Sequence, residues 1–218
     1  TRAPATETVS SSDSIARSFG ATRPINTETV PSTESIARSY GAVRKAGTHI
    51  SLSFDGSNDR LDCGNHSDLW SQSLTKFSYT YWLYVTTPGD TNFRDVINHG
   101  GATAQAFRTY LNQTSGKIVH SIRNGAGAEQ SAQSDNAPNL NHWVFVASTY
   151  DNSLGSNQIL LYIDKVLQAT KGTLTEAINL SVTLTLSNAS TDLQGNIKDF
   201  RFYKSIALSQ TQIDNIYD

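Results

Sequence analysis

One cysteine, Cys63, stands in 218 residues, and methionine is missing altogether. A lone thiol excludes a disulfide framework within the chain, so stability has to come from a packed core. Cys63 alternates with Leu61 and reads as a small core residue rather than a reactive thiol. With no methionine and a start at Thr1, the chain reads as a processed, mature product. No apolar run approaches the roughly 20 residues of a membrane-spanning helix, and no secretory core is present.

Large apolar side chains are scarce at the start. The first 47 residues hold 15 Ser or Thr and two aromatics, Phe19 and Tyr40, while all three Trp lie later. A segment that poor cannot offset its ordering entropy with a core of its own. The chain therefore divides into an arm, residues 1–47, and a body, residues 48–218, long enough to bury a sizeable core. The arm carries six basic and four acidic residues, a net +2, which leaves eleven basic and fifteen acidic in the body, a net −4. Neither part shows a basic stripe with interleaved aromatics, so nucleic acid is not expected as a partner. Arm and body of different molecules can instead attract one another.

Glutamate is also rare in the body, at Glu129 and Glu176 alone, both in loop-like surroundings. Glycoside hydrolysis needs two carboxylates flanking one bond, so catalysis is not expected. The histidines at 49, 66, 99, 120 and 142 lack metal-ligand spacing and read as surface or strand-end residues.

What is present is strand. In His142 to Asp151, Val144, Val146, Ser148 and Tyr150 fall on one face and Trp143, Phe145, Ala147 and Thr149 on the other, and neither face is cleanly polar. Gln158 to Asp164 answers it across a polar loop, ending in an Asp164-Lys165 turn signal. Ser51 to Phe54 and Arg60 to Cys63, joined by Asp55-Gly56-Ser57-Asn58-Asp59, read as a hairpin. Further short strands follow at Phe77–Val85, Arg94–His99, Ala106–Leu111, Lys117–Ile122, Leu180–Leu186 and Gly195–Tyr203. Only Ser209 to Tyr217, with Ser209 as cap, looks helical. This succession predicts an all-β sandwich or jelly roll with an extended N-terminal arm and a short C-terminal helix.

The arm contains a repeat. Residues 6–23 return as residues 27–44, with 13 of 18 positions identical. Each unit opens with Thr-Glu-Thr-Val and continues through an acid, Asp13 or Glu34, to Ser-Ile-Ala-Arg-Ser and an aromatic stopped by Gly. Ile15 and Phe19, like Ile36 and Tyr40, sit four apart and share one helical face. So short a helix is unstable alone, so these pairs read as anchors awaiting a surface. A flexible O-glycosylatable stalk is the plainer reading. Thr6, Val9, Ile15, Phe19, Thr27, Val30, Ile36 and Tyr40 are the expected contacts to neighbouring subunits, the Thr-Glu-Thr-Val runs adding strands to exposed sheet edges.

Three stretches in order carry a family likeness: Leu52 to Asp59 ahead of the aromatic strand ending at Trp82, His142 to Asp164, and Gly195 to Ser209. They resemble the laminin-G-like, concanavalin A-like jelly rolls over about residues 50–218. The resemblance implies the jelly-roll sandwich but not one function, since sugar-binding modules, adhesion domains, glycosidases and structural modules share it. It also implies possible calcium near the opening loop, where Asp55 and Asp59 are the matching carboxylates, although Lys198 stands where relatives usually carry an acid. A lectin-like role would use Trp70, Tyr79, Tyr81 or Tyr110, residues that also fill cores.

Four Asn-x-Ser/Thr tripeptides, at Asn65, Asn112, Asn179 and Asn188, are candidate N-glycosylation sites and point to an extracellular or cell-surface location. The sequence is thus expected to be a structural subunit that builds a filament, pilus-like fibre or surface assembly through its arm. A secreted carbohydrate-binding or adhesion module is the alternative.

Overall fold

The computed structural model describes residues 50–64, 73–88, 93–100, 106–124, 127–174, 178–179, 183–188 and 191–218. The repeated arm with all its expected contact residues, Asn65, Trp70 and Glu176 lie outside this set.

The strands are β1 (Leu52–Asp55), β2 (Leu61–Asp62), β3 (Ser73–Leu74), β4 (Lys76–Val85), β5 (Arg94–His99), β6 (Ala106–Leu111), β7 (Ile118–Arg123), β8 (Glu129–Gln133), β9 (Trp143–Asp151), β10 (Ile159–Ile163), β11 (Val166–Leu167), β12 (Ile178–Asn179), β13 (Leu184–Leu186) and β14 (Gln194–Lys204), followed by one helix, α1 (Gln210–Tyr217). Sheet A runs β1-β14-β4-β9-β10-β11, sheet B runs β2-β13-β5-β6-β7-β8, and β3 and β12 pair as a separate ribbon.

The expected opening hairpin does not form. β1 pairs with β14 in sheet A, whereas β2 pairs with β13 in sheet B. The intervening turn is therefore a crossing between layers, a tertiary fact that alternation on either side cannot reveal. The central pair forms as expected, with β9 and β10 antiparallel and the Asp164-Lys165 turn at positive φ of 46° and 69° leading into β11.

Both faces of β4 and β9 are covered, which explains their mixed alternation. Phe77, Tyr79, Tyr81, Leu83, Val146 and Tyr150 are fully buried or nearly so between the sheets. On the other face, Phe145 and Ala147 pack with Tyr162, Leu208 and Ile213 under α1. Ser209 caps that helix, its hydroxyl accepting from Gln212 N–H while Gln212 Oε1 accepts from Ser209 N–H. Ser78, outward on β4, fastens the approach to the helix by donating to Ile206 O and accepting from Leu208 N–H.

Strand β14 holds its register against β4 only by a bulge between Lys198 and Arg201. Asp199 takes positive φ, 51°, and the extra residue returns Phe202 to the interior, where it stacks on Phe77 and Phe107. Gly195 sits on the same strand where the Tyr84 carbonyl oxygen approaches so closely that a Cβ would lie 2.0 Å from it.

A polar bridge spans the two layers. Tyr79 Oη of sheet A lies 2.5 Å from Thr109 Oγ1 and 2.6 Å from His120 Nδ1 of sheet B. His120 and His99 are both 0% exposed; His99 does end a strand, β5, whereas His120 sits inside β7, which corrects the expectation of a surface or strand-end residue there. Burial pushes the His99 pKa down to about 4 and that of His120 to about 3, so both rings are neutral near pH 7.

Candidate functional site

The two outer faces of the sandwich differ. The outer face of sheet A is roofed in its middle by α1, while the outer face of sheet B gathers a charged and aromatic cluster from β5 to β8.

The register builds that cluster. Arg108 of β6 stands opposite Ser121 of β7, and Ser121 opposite Ser131 of β8, while Arg123 stands opposite Glu129. Alternation turns these side chains outward, because their neighbours Phe107, Thr109, His120 and Ile122 are buried in the core. The Arg108 guanidinium carbon lies 4.3 Å from the Tyr110 ring centroid and 5.6 Å from that of Phe93, whose own rings meet edge-to-face at 5.0 Å.

Arg108 Nη2 donates to Glu129 Oε1 at 3.3 Å and Arg123 Nη2 to Glu129 Oε2 at 2.6 Å, with the three side chains between 22% and 29% exposed. Burial works against the Glu129 charge, but hydrogen bonds from Arg123 and Ser121 and the two guanidinium charges outweigh it and hold the carboxyl below its usual range. Glu129 opens a strand, β8, rather than lying in a loop as its polar neighbours suggest. Beside the cluster, Asp95 Oδ2 accepts from Asn98, Asn188 and Thr191 at 2.9 to 3.0 Å.

Sheet A carries a second group at the end of the helix, where the Tyr217 ring of α1 lies 5.2 Å from that of Trp82. Tyr84 and Trp143 rings are 5.4 Å apart, and Lys198 Nζ lies 4.3 Å from the Trp143 centroid and 5.2 Å from that of Trp82. All four side chains are half-buried.

Other expected site residues fall as follows. Tyr79 and Tyr81 are 0% exposed in the core and cannot meet a ligand, and Tyr110, 8% exposed, contributes beneath Arg108. Asp55 Oδ1 accepts from Ser57 N–H and Asp59 Oδ2 from Asp55 N–H, so both candidate calcium carboxylates serve the turn. Among the described residues no group of three or more His, Cys, Asp or Glu is placed to hold a metal ion. Asn112 lies on an exposed β6–β7 turn, its Oδ1 accepting from Thr114 and Ser115. Asn188 donates its amide N–H to Asp95 Oδ2 at 3.0 Å, and Asn179 lies in β12. Cys63 is half-buried, and burial, with the adjacent Asp62 charge, pushes its thiol up to about 12. Among the described residues no helix is long and apolar enough to cross a membrane.

A family model described as the concanavalin A-like lectin/glucanases superfamily, of laminin-G type, matches residues 46–214. The chain belongs to that family. No curated protein sequence matches it. Among solved structures it is similar to a heptameric SAP-like pentraxin from Limulus polyphemus, at 12% identity and TM-score 0.55 over 78% of this chain and 82% of that one. It is also similar to the botulinum neurotoxin serotype D binding domain, at 20% identity and TM-score 0.60 over 77% of this chain and 41% of that one. Domain 4 of AbnA, an extracellular arabinanase from Geobacillus stearothermophilus seen in complex with arabinotriose, matches at 12% identity and TM-score 0.57 over 79% of this chain and 91% of that one. At these identities the likenesses are of fold, and they agree with the two-sheet sandwich and its single C-terminal helix.

Proposed function

We propose that this family member is an extracellular, lectin-like carbohydrate-binding module that seats its ligand on the outer face of sheet B without catalysing a reaction. The observation that carries this is the Arg108 guanidinium, its carbon 4.3 Å from the Tyr110 centroid and 5.6 Å from that of Phe93, and tied to Glu129. Of its five N–H donors, two go to Ser121 and Glu129, leaving others for ligand hydroxyls. Prepositioned donors, an ionised acceptor and the half-buried Phe93 ring together suit a saccharide, which offers hydroxyls at its rim and C–H groups on its faces. The arabinotriose complex of a domain with this fold supports the same class of ligand. Glu129, kept ionised between two arginines, is poorly suited to act as a proton donor in glycoside hydrolysis. A glycan array with the full chain tests this: binding that Arg108→Ala removes and Lys198→Gln preserves is expected. No binding to any saccharide, or binding indifferent to Arg108, would sink it.

A second reading is favoured by the repeat of residues 6–23 at 27–44, which a binding module has no need of. In it the chain is the subunit of an extracellular filament or surface assembly, its arm docking on neighbouring copies. Removing residues 1–26 is expected to weaken assembly, and removing 1–47 to leave a soluble folded monomer. Electron microscopy of the full chain showing single particles at every concentration would count against it.

A further inference from the structure

We infer that the Trp82–Tyr84–Trp143–Lys198 ledge on the outer face of sheet A receives one repeat of another copy's arm, the aromatic (Phe19 or Tyr40) against the rings and the acid (Asp13 or Glu34) against Lys198. This rests on the assembly reading and names its receiving surface.

The ledge has the composition of an unfinished contact. Two indoles and a phenol lie half-open in one row, and Lys198 rests across both indoles at 4.3 and 5.2 Å. Among the described residues no carboxylate pairs with that ammonium, whose neighbours are the two indole faces. A cation on an aromatic bed is completed by a partner offering negative charge beside an apolar group. Each repeat offers both, six positions apart, together with an Ile four residues before the aromatic.

Each chain has two repeats and, among the described residues, one such ledge, so one repeat per chain is enough to fill every ledge. The contact joins unlike surfaces, arm to sheet, and such a heterologous contact extends from copy to copy unless it closes into a ring. The cluster on sheet B is a poorer seat, because its carboxylate already neutralises one of its two arginines.

The test is a charge exchange in the full chain, read by analytical ultracentrifugation, with circular dichroism verifying the fold. Lys198→Glu alone, and Asp13→Lys with Glu34→Lys alone, should each weaken association at least tenfold. The three substitutions combined should restore most of it. Association unchanged by Lys198→Glu, or no recovery in the combined variant, overturns the inference. If such a chain still loses assembly on removal of residues 1–47, the ledge is the wrong seat and the assembly reading stands. If the arm-deleted body also assembles, both fall.

Discussion

The two outer faces of this sandwich handle charge in opposite ways. On sheet B, Arg108 and Arg123 converge on Glu129, and the group is held from below by Tyr110 and Phe93. On sheet A, Lys198 lies over two indoles with no carboxylate paired to it among the described residues. One face holds a polar network with its carboxylate shared between two arginines, and the other a cation on an aromatic bed. Under the two proposals above, one fold would separate selectivity for two kinds of partner by layer.

That contrast depends on α1 covering only part of sheet A, so the strongest way to break it is to remove the roof. Ile213→Ala, at a fully buried helix position packed on Phe145 and Tyr162, is expected to cost about 2–4 kcal/mol in urea unfolding and to loosen the helix. An equal loss from Thr211→Ala, at an exposed position of the same helix, would show that packing on the sheet is not what holds the helix.

Acid comes next, acting on the seam between the layers rather than on either face. The folded state keeps His120 and His99 neutral, with pKa values of about 3 and about 4, whereas the unfolded chain takes up protons near pH 6.5. Stability is therefore full above pH 6.5 and falls as the pH drops toward 3, with a loss on the order of a few kcal/mol. A pH series of denaturant midpoints that stays flat from 7 to 4 would contradict this placement.

Smaller effects sharpen the comparison directly. Glu129→Gln leaves two guanidinium groups facing each other and is expected to cost about 1–2 kcal/mol, measured by thermal unfolding at low and high salt. Lys198→Gln removes only cation–π contacts and should cost about 0.5 kcal/mol or less. The reverse order would mean that the unpaired charge, not the network, supports the fold.

How much of this was legible in the sequence follows from what each feature depends on. The double burial of Trp143 to Asp151 was readable because both alternating sets are apolar, and the helix end was readable from Ser209. The separation of β1 from β2 was not, since alternation marks strands without saying which sheet takes them. Strand β8, Glu-Gln-Ser-Ala-Gln, escapes any apolar pattern because it pairs on one side as an edge and buries only Ala132. With β8 unseen, Glu129 could not be brought to Arg108, 21 positions away, and the sheet B cluster stayed hidden. His120 was missed because a histidine in a short strand gives no sign of the tyrosine across the core that engages it.

The short first strand has a mechanical meaning. Tension applied at Ile50 enters the sandwich through β1, which is held by four backbone pairings to β14 and by one buried side chain, Phe54. The fold thus has a weak first tooth in its zip: a pulled molecule gives up β1, and lengthens, well before the central strands feel the load.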